Sequence, residues 1–197
     1  MRIARALLFA LPTLLLAAPA LAHTGEGGGG FIAGLAHPVF GPDHVAAMVA
    51  VGLWGAFLGS PAIWTLPIVF PLVMAGGGVL GIIGVPLPAA ETGIAVSAIV
   101  LGLMVALAAR LPLWAAALLV GALAIFHGYA HGRELPDGAN AVAFSAGFVI
   151  ATGLLHLTGI AFGLLTRWPV GRIAVRGAGG AIALVGLAYL GGLVPPI

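Results

Sequence analysis

The sequence contains no cysteine, and only 6% of its residues are Asp, Glu, Lys or Arg. The first absence excludes disulfide frameworks and thiolate metal sites, so a metal held here must take imidazole, carboxylate, backbone or water ligands. The second excludes the charged surface of a water-soluble domain, in which about a quarter of residues carry charge. A Walker motif and a His-Glu-x-x-His helix are also missing, which argues against ATP hydrolysis and zinc-protease chemistry, so an enzyme is not expected. What is there is apolar: 62% of the 197 residues are hydrophobic, in long runs whose solvent is lipid.

The first run is short and has its own flanks. Arg2 and Arg5 precede an apolar stretch from Ala6 to Ala18, followed by Ala20-Leu21-Ala22. That order reads as a secretory signal over residues 1–22, cut after Ala22, with residues 23–197 as a single transmembrane domain. Seven basic residues less Arg2 and Arg5 leave five, against five acids, so the mature chain is neutral and nucleic acid is not an expected partner.

About 20 apolar residues cross a bilayer. On that measure the mature chain gives six spans: Phe31–Leu58, Trp64–Gly84, Thr92–Ala109, Leu113–His131, Ala139–Thr166 and Ile173–Leu193. The expected fold is an all-α, polytopic membrane helical bundle of six transmembrane helices, with short connections that make sequential helices antiparallel. A cleaved signal leaves the N-terminus in the periplasm of a bacterial inner membrane. Arg110, Arg167, Arg172 and Arg176 then fall at cytoplasmic helix ends with only Arg133 outside, as the positive-inside rule requires. The tryptophans Trp54, Trp64, Trp114 and Trp168 read as interface anchors near that cytoplasmic end. Small-xxx-small pairs at Gly55/Gly59, Gly77/Gly81, Gly128/Gly132 and Gly159/Gly163 predict close helix packing inside the bundle, with a homo-oligomer face as the alternative.

Ionisable groups inside a bilayer are expensive and mark function. They cluster here. His37, Asp43 and His44 lie in the first span; His127, His131 and Glu134 close the fourth; His156 stands alone in the fifth. His127 and His131 are four residues apart, about 6 Å along a helix and on one side of it, so both rings reach one ion. His37 and His44 would be about 10 Å apart on a regular helix, too far for joint ligation unless the backbone breaks. Pro38 and Gly41-Pro42 give it reason to break, and irregular backbone is tolerated in a membrane where it lines a cavity. His44, His127 and His131 are expected together, with Asp43 beside them and His37 nearer the mouth. His156 is expected further along the path as a later station, or as hydrogen-bond glue. After signal cleavage, the amine and imidazole of His23 would form a small chelate. Imidazole ligands suit nickel, cobalt, zinc and copper, and a neighbouring carboxylate can ligate or fix a ring tautomer.

At these residues the sequence resembles the HupE/UreJ family of membrane metal permeases. The resemblance is carried by His-x5-Asp-His at His37, Asp43 and His44, and by Phe-His-Gly-x-Ala-His-Gly-x-Glu from Phe126 to Glu134. It implies uptake of Ni2+, in some relatives Co2+, with an indirect link to a nickel enzyme such as hydrogenase or urease. The ion is then cargo rather than a resident cofactor. Two other readings remain open beside it: an accessory or metallochaperone factor without transport of its own, and a haem-binding electron-transfer protein. The haem reading wants facing His pairs, whereas His127 and His131 share one helix face.

Overall fold

The structure, a computed structural model, describes residues 29–135 and 138–194. The signal reading of residues 1–22 and the chelate at His23 lie outside the described residues. Among those described there are seven α-helices and no strand: α1 (Gly29–Phe40), α2 (Pro42–Leu58), α3 (Ala62–Ile82), α4 (Ala90–Ala106), α5 (Leu113–Arg133), α6 (Ala141–Gly163) and α7 (Pro169–Leu190). A 3-10 turn, Leu164–Arg167, joins α6 to α7. Helix starts follow the sequence: Pro42 and Pro169 sit in first turns, where the missing N–H is not needed, and the Asn140 side chain caps α6 by accepting from Ala143 N–H at 3.0 Å.

α3, α5, α6 and α7 are long and apolar enough to cross a bilayer. α1 and α2 pass that test only together, as a pair bent by 82°, and α4 is a shorter apolar helix of 17 residues. The single first span expected over Phe31–Leu58 is therefore two helices. Proline explains the break: Pro42 has no N–H to offer the Pro38 carbonyl one turn back, and Gly41 between the helices is extended at φ −93, ψ 101. Regular bonding resumes at once, with Val45 N–H on the Gly41 carbonyl at 2.8 Å.

The helices associate as α3 with α5, α4 with α7, and α6 with both α1 and α2. α2 also touches α3, α4 and α7, and it is buried nearly all round: Ala47, Met48, Ala50, Val51 and Trp54 have no exposed surface. Glycine makes the pairs close. Gly77 and Gly81 lie against the Ile125 and Tyr129 carbonyls, and Gly128 and Gly132 against those of Met74 and Gly78, where any Cβ would run into backbone. Gly159 and Gly163 seat α6 on α2 in the same way. The Gly55/Gly59 pair differs. Gly59 has no neighbour within 4 Å and instead ends α2 at φ 82, a left-handed turn that glycine adopts without strain.

Charge separates by end. At one end the Arg110 guanidinium lies over the Phe57 ring, 5.4 Å from its centroid, and Arg176 Nε donates to the Ala106 carbonyl at 2.7 Å. Arg167 and Arg172 donate to the Leu164 and Thr166 carbonyls nearby. Trp64, Trp114 and Trp168 are exposed at this end, as anchors are. Trp54 is not an anchor: it is fully buried, and its indole N–H donates to the Ala109 carbonyl at 2.9 Å, tying α2 to the end of α4. Asp43, Glu91 and Glu134 gather at the opposite end, where Arg133, next to Glu134, is the one arginine among the described residues.

Candidate metal centre

The bend at Gly41 decides the site. It lays α1 against α6, and from there the His37 side chain meets His131 of α5, with ring centroids 4.8 Å apart. His37 Nε2 donates to Glu134 Oε2 at 2.9 Å, and His131 Nδ1 is 3.3 Å from the same oxygen. Glu134 caps α5 one turn beyond His131, its own N–H donating to the Ala130 carbonyl. His37, His131 and Glu134 thus offer three ligand atoms within 4.8 Å of one another. Partial burial pushes the Glu134 carboxyl up, but the hydrogen bonds from His131 and His37 outweigh it and hold the group at about 2. It is an anion at any physiological pH. His37, expected nearer the mouth, is the most exposed histidine of the cluster and lines the cleft, and the sharp break also makes it a member of this triad.

His44 lies in the first turn of α2, on the far side of His131, with ring centroids 4.4 Å apart. Its Nδ1–H donates to Asp43 Oδ1 at 2.9 Å, and the same oxygen accepts the His44 backbone N–H at 2.8 Å. Asp43 therefore fixes the ring and leaves Nε2 as a lone pair, buried and without a hydrogen-bond partner. His127 comes next, 4.9 Å from His44 between ring centroids and with no exposed surface. Ser97 on α4 fixes it. The Ser97 hydroxyl donates to the Ile94 carbonyl at 2.6 Å, so its oxygen accepts from His127 Nε2–H at 2.7 Å. His127 Nδ1 is left as a second lone pair without a partner.

A cleft of about 280 Å³ opens onto this cluster, lined by His37, Phe40, Gly41, His44, His131 and Glu134. Six waters occupy about 180 Å³ at roughly 30 Å³ each, so a hydrated ion fits. Phe144 and Phe148 of α6 wall the cluster, with Phe148 4.2 Å from the His131 ring. His156 is not part of it. On straight helices His131, His127, Phe70 and His156 lie about 3, 9, 18 and 22 Å below the carboxylate end, and the Phe70 ring touches both His127 and His156 at 5.4 Å.

A model of the HupE / UreJ protein family matches residues 11–189 of the chain. The chain belongs to the HupE/UreJ family. It is also 49% identical over 182 residues to Protein HupE of Rhizobium leguminosarum bv. viciae, covering 92% of this chain and 95% of that one. No solved structure matches it significantly. In this HupE/UreJ protein the two signatures, far apart in sequence, pack against each other at one end of the bundle. Sequence reading missed Ser97, Phe70 and Thr152. None has a local signal, because a serine, phenylalanine or threonine in an apolar helix is unremarked until its neighbours on other helices are known.

Proposed function

We propose that this protein takes up a divalent transition-metal ion, Ni2+ first and Co2+ as the alternative, across a bacterial inner membrane from the periplasmic side. The signal reading and the separation of arginine from carboxylate support six spans with a periplasmic N-terminus, the bent α1–α2 pair counting as one span and α4 as another. The observation that carries the reading is the pair of imidazole lone pairs, His44 Nε2 and His127 Nδ1, held by Asp43 and Ser97 behind the His37–His131–Glu134 triad. Unpaired buried polar atoms cost about 1–3 kcal/mol each, and a cation arriving from the cleft would satisfy these.

The sequence of events follows from the layout. A hydrated ion enters the cleft, and the anionic Glu134 with His37 and His131 replaces part of its water shell. It is then offered to His44 and His127, whose lone pairs need no proton release to accept it. Two or three protein ligands at a time, with water for the rest, keep the ion releasable; a dry site with a full shell would be a trap. The link to a nickel enzyme, hydrogenase or urease, comes from the family alone. The test is radiolabelled Ni2+ and Co2+ uptake in a transport-deficient host lacking both enzymes, with and without a proton uncoupler. Uptake that His131→Ala abolishes is the expected result. Metal binding without uptake would favour an accessory factor.

A further inference from the structure

We propose a second, inner ion station, formed by His156 and Thr152 of α6 with the Pro67 carbonyl of α3, and separated from the outer cluster by the Phe70 ring. Its ligand class is a divalent first-row transition metal. The inference rests on the uptake reading above and adds a site to it.

Thr152 and His156 are four residues apart on α6 and so share a face, and they are 0% and 1% exposed. Both ring nitrogens of His156 and the Thr152 hydroxyl have no hydrogen-bond partner. Thr65, Thr158, Thr166 and Ser97 each donate their hydroxyl to a carbonyl three or four residues back. Thr152 does not, although its helix offers the same carbonyl.

The third group comes from the opposite helix. α3 contains Pro67 and Pro71. Pro71 has no N–H, so the Pro67 carbonyl loses its helical donor. That carbonyl lies toward the His156 ring, at the edge of hydrogen-bonding reach. Two His156 ring nitrogens and the Thr152 hydroxyl, buried on one helix face and left without partners, ask for a ligand. Interhelical glue would be the plainer role for His156, but it leaves Thr152 and one ring nitrogen unexplained.

The donor set is one imidazole nitrogen and two neutral oxygens, which suits Ni2+ and Co2+ and binds them less firmly than the outer cluster with its carboxylates. A gradient of that kind favours passage. Phe70 lies three residues past Pro67, wholly buried, its ring between His127 and His156. An ion moving from one histidine to the other must turn that ring aside, so Phe70 separates the two stations.

The test is Co2+ titration of the purified full-length protein in detergent, read calorimetrically and by ring-15N histidine NMR, in which paramagnetic Co2+ broadens the rings it touches. Wild type should bind a tight first and a weaker later equivalent, the later one broadening His156. Thr152→Val keeps the side-chain shape and should weaken the later equivalent by about tenfold or more; His156→Gln should remove it, with the first unchanged. His131→Ala should weaken the first and leave the broadening of His156. A His156 signal that never broadens, with Thr152→Val binding as wild type, overturns the inner station while the outer one stands. No binding of Co2+ or Ni2+ at any histidine overturns the uptake reading and the inner station together.

Discussion

An imidazole presents one lone pair and one proton, and the partner of the proton decides which way the lone pair points. In this bundle Asp43 makes that choice for His44 and Ser97 makes it for His127. Ser97→Ala removes the acceptor of His127 Nε2–H, so the ring can rotate or change tautomer. Metal affinity should fall by about 10–100-fold, measured by Co2+ titration, while Ser97→Thr, which keeps the hydroxyl, should bind as wild type. Glu134→Gln tests the charge in the outer triad. Glutamine keeps the shape and can still accept from His37 Nε2, but the anion is gone, so affinity at the cleft should drop more than the fold's stability does. The six groups of the two signatures were legible because charge stands out in a sequence with so little of it. Ser97 and Thr152 were not, since their roles depend on which helices become neighbours.

At the level of helices, the same limit applies to geometry. Pro38 and Gly41-Pro42 announce a break, but the 82° turn that brings His37 onto His131 is set by how α1 lies across α6, where Gly34 and Gly147 admit it against the Phe144 and Phe31 carbonyls. Gly41 matters for space. A Cβ there would meet His44 Nδ1 at 2.8 Å and Asp43 Oδ1 at 3.2 Å, so Gly41→Ala should disturb the Asp43–His44 pair and weaken metal binding without unfolding the bundle. The α3–α5 seam gives a matched test of helix packing. Gly77 is pressed on Ile125 backbone, whereas Gly76 has open space around it. Gly77→Ala should destabilise the protein by about 1–3 kcal/mol in detergent unfolding, and Gly76→Ala should be neutral. Equal effects at both would mean that the seam does not hold α3 to α5. Glycine spacing indicated such seams in the sequence, but not that Gly59 would serve as a helix end.

For the whole molecule, the proposed uptake requires that the carboxylate end face the side from which metal arrives. The arginine end carries Arg110, Arg167, Arg172 and Arg176, with three exposed tryptophans, and the proposed orientation places it in the cytoplasm on the positive-inside rule. The orientation can be tested cleanly because the chain has no cysteine of its own. Ala139→Cys places a single thiol in the connection between α5 and α6, and Leu111→Cys places one between α4 and α5, next to Arg110 in the sequence. A membrane-impermeant maleimide applied to intact spheroplasts should label Ala139→Cys at once and Leu111→Cys only after lysis. Ni2+ added beforehand should slow labelling at 139, which lies five residues from the triad, and leave 111 unaffected. The reverse pattern would put the His37–His131–Glu134 cleft in the cytoplasm. The same side chains would then load metal for export or for delivery to a cytoplasmic enzyme, because a site's chemistry does not set its direction and the side it faces does.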